Sequence, residues 1–230
     1  MGKLWVKTIN IGFNPSGAAE AARQGNVVMI VDVIDMSTTA ETALEKGALK
    51  VYGGSPANNQ APVKLNPEKI GYMAGEMAQQ KNTKIIIAAE PRIIEKNKNK
   101  RRKNIEPVLR GINKTKAKID KIITNIGKET SELVDFKNKI VIIVSAAGGT
   151  AFDAAFNNGS PKVITGTVAR TSQMLGNQPA EVAARRAIAE AKKYKSGISI
   201  IASSSNSYED IAAANCICQK ILDQGFLSLN

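Results

Sequence analysis

Short apolar runs rich in β-branched residues recur along this chain. Each is followed by a polar turn and then a helical pattern, and this alternation limits the fold more than any other feature. Val27–Val31 reads VVMIV, Ile85–Ala89 reads IIIAA, Ile140–Ser145 reads IVIIVS and Ile198–Ser203 reads ISIIAS. A run of this length with little polar alternation suits a strand covered on both faces, as parallel strands are. The predicted class is therefore α/β, a three-layer α/β/α fold with a mostly parallel sheet that holds all four runs.

The intervening segments fill in the pattern. Strands are expected at Trp5–Gly12, Leu49–Gly53 and Lys162–Gly166. Helices are expected at Ser16–Gln24, Thr39–Lys46, Pro67–Gln80, Thr150–Phe156, Gln178–Lys193 and Ile211–Gln224. Gly25 and Gly47 stand where helices end, Asn66 caps the helix that opens with Pro67, and Thr38 to Glu41 has capping-box spacing. No internal repeat is present. The 230 residues suffice for a single α/β domain spanning 1–230.

Charge is uneven. The net charge is +12, and the segment Arg92–Lys121 carries twelve Lys or Arg against three acidic residues. The run NKNKRRKN has no aromatic residue to stack on bases, and so dense a like-charge block resists burial. It reads as a solvated basic insertion near 92–126 rather than a nucleic-acid surface. Within it, Ile105–Ile126 places isoleucine, valine and leucine at spacings of three and four, the pattern of an amphipathic helix with a break near Gly111.

Composition removes several chemistries. The chain has no histidine, which excludes a Ser-His-Asp triad and the usual zinc sites. Cys216 and Cys218 are two apart in a helical pattern and point to different faces, so a mutual disulfide is not expected and buried packing is. The absence of a signal peptide and of any membrane-spanning run points to the cytoplasm. A homo-oligomer remains open.

Polar residues gather where strands should end, the edge at which open α/β sheets bind ligands. Asp32 and Asp35 follow one strand, with Ser37 and Thr38 opening the next helix. Glu90 and Arg92 follow a second; Gly148, Gly149 and Thr150 follow a third; Thr167 and Arg170 follow a fourth; Glu209 and Asp210 follow the last. Paired carboxylates beside the N–H groups of a helix start suit a hydrated divalent cation and a nearby anion. The structural alternatives are that Asp35 caps a helix, that Asp32 satisfies turn amides, and that Ser207 and Asp210 form a capping box.

The order of these motifs resembles the 2-phosphosulfolactate phosphatases of coenzyme M biosynthesis. DVIDMSTT at Asp32–Thr39 is similar to that family's Asp-Val-Leu-Arg-Ala-Ser/Thr-Thr. IIIAAEPR places Glu90 at the glutamate of Gly-Glu-Arg, with Arg92 one place late. AAGGT at Ala146–Thr150 is similar to Thr-Thr-Asn-Gly-Thr, TGTVART matches around Gly166 and Thr167, and YEDIAAANCICQKIL matches at Glu209 and Asp210. Asp35 replaces the family's arginine, Ala146, Ala147 and Gly148 replace Thr-Thr-Asn, and the Gly-Asn-Ser-Pro element is not recognisable. The resemblance implies a Mg²⁺-dependent phosphatase for a small phosphorylated acid. Asp32, Asp35, Glu90 and Glu209 would hold the metal and Asp32 and Asp210 would act in catalysis. Ser37, Thr38, Arg92, Gly148, Gly149, Thr150, Thr167 and Arg170 would meet the substrate. The alternative is a non-catalytic binding protein of the same fold.

Overall fold

A computed structural model describes residues 5–91 and 98–228. The elements run β1 (Ile9–Phe13), α1 (Asn14–Arg23), β2 (Val27–Val31), α2 (Ser37–Glu45), β3 (Lys50–Gly54), α3 (Pro67–Gln80), β4 (Ile85–Ala89), α4 (Lys98–Asn104), α5 (Glu106–Asn113), β5 (Ile119–Thr124), α6 (Thr130–Leu133), β6 (Ile140–Val144), α7 (Gly148–Asn157), β7 (Val163–Gly166), α8 (Gln178–Tyr194), β8 (Ile198–Ala202) and α9 (Tyr208–Asp223). All the strand pairs are parallel. Among the described residues, no helix is long and apolar enough to cross a membrane.

The chain adopts a three-layer α/β/α architecture, but the strands divide between two four-stranded sheets, β1-β8-β2-β7 and β3-β6-β4-β5. The expectation of one shared sheet is thus corrected: β2 and β8 lie in the first sheet, β4 and β6 in the second. An apolar run specifies that a strand is buried on both faces, and it reads identically in either sheet. The second sheet comes from one continuous stretch, β3 to β6. The first is assembled from both ends of the chain, with β8 seated between β1 and β2.

Helices cover both faces of each sheet. Val28 and Ile30 of β2 join the cluster that includes Ala18 and Ala22 of α1 and Ala151 of α7. Val27, Met29 and Val31, which face the other way, pack against the alanine-rich side of α8 and against α9. In the second sheet, the side-chain position of Gly53 faces Met36 and Phe152, whereas that of Gly54 faces Ile70 of α3 and Val108 of α5. Helices α2 and α7 carry the chain between the two sheets and pack against strands of both.

Three local readings change. Ile105–Ile126 is not a helix throughout: α5 ends at Asn113 and β5 begins at Ile119. Lys116 adopts a left-handed φ of 60° between them. The isoleucines beyond this turn are β-branched and suit a strand. Ile119 and Ile123 pack on the core while Ile122, 46% exposed, faces outward at the sheet edge. At α2, no side chain caps the helix start. Cys216 is exposed rather than buried, and both cysteines are free thiols. The expected caps elsewhere form: Asn66 accepts from the Lys69 N–H at 2.9 Å and Ser207 accepts from that of Asp210 at 3.3 Å.

Candidate functional site

Strand ends from both sheets supply one hydrogen-bonded network. Asp32 follows β2, Ser203 follows β8 and Thr167 follows β7. From the second sheet come Glu90 after β4, Asn125 after β5 and Ser145 after β6. Parallel strands put all these residues at carboxyl ends, and α2 and α7 join the two edges.

Asp32 is 3% exposed and lies at the centre. Its Oδ2 accepts the Gly148 N–H at 2.7 Å and its Oδ1 accepts the Asp35 N–H at 3.2 Å. Asp32 is thereby held by the first residue of α7, where the helix dipole favours negative charge. A Cβ at position 148 would lie 2.3 Å from Asp32 Oδ2, so only glycine permits this approach. Burial nevertheless dominates. It pushes the Asp32 carboxyl up to about 7, reinforced by the charges of Asp35 and Asp210 and opposed by the two N–H groups.

Asp210 lies beside it in the first turn of α9. Its Oδ1 accepts the Val33 N–H at 2.9 Å and its Oδ2 accepts the Ser203 hydroxyl at 2.8 Å. Burial raises its pKa above the usual carboxylate value. The Asp210 side chain therefore ties α9 to the strand ends rather than reaching back to close a capping box.

The turn between β2 and α2 is pinned by its own hydroxyls. Ser37 Oγ accepts the Asp32 N–H at 2.9 Å and donates to the Ile30 carbonyl at 3.1 Å. Thr38 Oγ1 donates to the Val33 carbonyl at 2.7 Å and lies 3.2 Å from Thr167 Oγ1. Glu90 Oε2 accepts the Ala146 N–H at 3.3 Å, and Oε1 is 3.4 Å from Asn125 Nδ2. The Gly149 N–H donates to Ser145 Oγ at 2.8 Å. Thr150 is buried and accepts from Asn59 Nδ2. Glu209 is exposed on α9 and accepts from Ser207 Oγ at 3.1 Å, and Arg170 is exposed. Arg92 lies outside the described residues.

The structure thus gathers Asp32, Asp35 and Asp210 within electrostatic reach of one another. Glu90 joins through Asn125, which also donates to the Asp35 carbonyl at 2.7 Å and accepts from Thr39 Oγ1 at 2.6 Å. Asn125 is fully buried and is the residue that the sequence reading missed. Its signal was the same as for the others, a polar residue directly after a strand, but that strand read as helix.

Among the described residues, no group of three His, Cys, Asp or Glu side chains is placed to hold a metal ion. Asp32, Asp35, Glu90 and Glu209 are therefore not a ready-made ligand cage. Asp32 and Asp35 do fit the hard, oxygen-only chemistry of Mg²⁺, which is commonly held by one or two carboxylates with water and substrate oxygens completing its shell. No Lys or Arg of the described residues lies within 4.0 Å of the Asp32 or Asp210 carboxylate. In comparisons with known proteins, no protein-family model and no curated protein matched this chain.

Proposed function

We propose that the protein is a Mg²⁺-assisted phosphoric monoester hydrolase acting on a small phosphorylated organic acid, with its reaction centre at Asp32. The observation that carries this reading is the crowding of Asp32, Asp35 and Asp210 where strand ends of both sheets meet. Asp32 and Asp210 are buried, and buried carboxylates held near other carboxylates favour a cation or a proton. Asp32 and Asp35 would hold Mg²⁺, which supplies screening of phosphate charge and acidification of a bound water. Asp210, fixed by the Val33 N–H and the Ser203 hydroxyl, would take a proton from the attacking water. The α7 start holds Asp32 in place through Gly148.

One observation favours a second reading, a binding protein of the same fold without hydrolysis. The N–H groups of Gly148, Gly149 and Ala146 go to Asp32, Ser145 and Glu90. An anion could not use those three donors without displacing the protein's own acceptors. Phosphate release from phosphorylated 2-hydroxy acids, measured with and without Mg²⁺, separates the two. The hydrolase reading expects Mg²⁺-dependent release that Asp32→Asn lowers at least about 100-fold with the circular dichroism spectrum unchanged. Binding of the acid by calorimetry without release would support the second reading. Release that is equal in the wild type and Asp32→Asn would remove Asp32 from the chemistry.

A further inference from the structure

A second site lies at the opposite end of the strands, in the seam between the two sheets. Strand β7 ends the first sheet and β3 ends the second. Between these edges is a cavity of about 240 Å³. Lys50 is the first residue of β3 and Lys162 immediately precedes β7. Val28 pairs with Val163, so Lys162 is level with the start of β2, whereas Asp32 follows its end. Five residues of strand, about 16 Å, separate the levels of the two sites.

The cavity wall is mostly apolar, with Phe152 of α7, Leu44 of α2 and Val51 and Ile164 of the edge strands, while Lys50, Lys162, Arg186 and Glu190 bring charge to it. Part of that charge is internally matched. Arg186 donates to Glu41 Oε1 at 2.6 Å and to the Thr165 carbonyl, and Thr165 Oγ1 donates to the same Glu41 oxygen at 2.6 Å. Lys162 pairs with Glu190 at 3.4 Å. Lys50 is different. Among the described residues no carboxylate lies within 4.0 Å of its amine, which sits 5.5 Å from the Tyr52 ring centroid and beside the Lys162 amine. Burial first, and the neighbouring Lys162 ammonium next, push the Lys50 amine down to about 8; Glu190 acts against the shift and Arg186 with it. The cluster is also not closed on itself, since Arg186 Nε and Glu190 Oε2 are buried without a hydrogen-bond partner in the structure's described part.

Three cations stand against two carboxylates, Glu41 and Glu190, leaving one positive charge beside an apolar chamber. We propose that this seam cavity binds a small monocarboxylate with an apolar body. The carboxylate bridges the ammonium groups of Lys50 and Lys162, and the body lies against Phe152 and Val51. A single negative charge completes the balance, whereas a phosphate dianion would overshoot it and bring a second charge against Glu190. The volume falls below the roughly 300 Å³ at which drug-sized pockets begin, so the ligand is a few carbons long.

Calorimetry on the full chain with acetate, butyrate, hexanoate and inorganic phosphate tests this directly. Affinity should rise by up to about fourfold for each added CH₂ that the cavity buries, and hexanoate should bind far more tightly than phosphate. Lys50→Met should weaken hexanoate binding about tenfold or more, by removing a charged donor, while Lys50→Arg should retain most of it. Near pH 8.5 binding should take up a proton, because the carboxylate restores the charged form of Lys50; heats in buffers of different ionisation enthalpy measure this. Lys50→Met should leave phosphate release at the Asp32 site unchanged, so failure here is distinct from failure there. Equal affinity for acetate and hexanoate, phosphate bound as tightly as hexanoate, no heat with any carboxylate, or full binding by a folded Lys50→Met protein would each overturn the proposal.

Discussion

Asp32 is buried against the start of α7, and that burial makes one titration visible in the stability of the whole protein. The Asp32 carboxyl is raised in the folded state to about 7 from 3.8. Below pH 3.8 both folded and unfolded chains hold the proton. Between about 4 and 7 the unfolded chain loses it first, so the folded state carries the excess proton and stability falls as pH rises. Denaturant unfolding in metal-free buffer should show this decline, and Asp32→Asn should flatten it; an unchanged slope in the variant would assign the titration elsewhere. Asp32 and Asp210 were legible in the sequence because a carboxylate after an apolar run marks a strand's carboxyl end. Thr38 and Glu41 were misread because local spacing suggested a cap. Their side chains instead serve distant partners, Thr38 the Val33 carbonyl and Thr167, and Glu41 Arg186 and Thr165. Tertiary bonds of that kind leave no periodic trace.

Among elements, the closest packing is between α3 and α5, where backbones touch. A Cβ at Gly71 would lie 2.1 Å from the Val108 carbonyl oxygen, and one at Gly111 would lie 1.9 Å from that of Glu68. Neither helix can yield, because the obstructing atoms are backbone. Gly71→Ala should therefore destabilise the protein by about 2 kcal/mol, overpacking outweighing alanine's better helix propensity. That corresponds to a melting temperature lower by roughly 4–8 °C; a neutral result would mean the helices part freely. Gly111 read as a break in a long helix, yet α5 runs through it to Asn113. Glycine there provides proximity rather than an ending, and one sequence cannot separate those roles. Four strands were read more securely: β2 fills the run Val27–Val31, β4 has the expected bounds, and β6 and β8 end one residue before theirs. Their burial comes from composition alone, while sheet membership depends on partners that composition does not name.

For the molecule as a whole, the interleaving of the sheets has a temporal meaning. Strands β3 to β6 follow one another without interruption and complete the second sheet from one stretch of chain. In the first sheet, β8 must enter between β1 and β2, which have no pairing with each other. Pairings of such long sequence separation form slowly. Pulse-labelled hydrogen exchange during refolding should protect the amides of β4 and β6 before those of β1 and β2. The reverse order, or a single shared rate, would show that the first sheet is not the late step. During synthesis the same geometry sets a waiting period. A ribosome that has released β2 holds a strand whose neighbours, β7 and β8, are not yet made. Through that interval two apolar edges stay open, and they are where a chaperone would be needed. Asp32 can meet Asp210 only after that wait, so the carboxylate cluster comes into being when the last strand arrives.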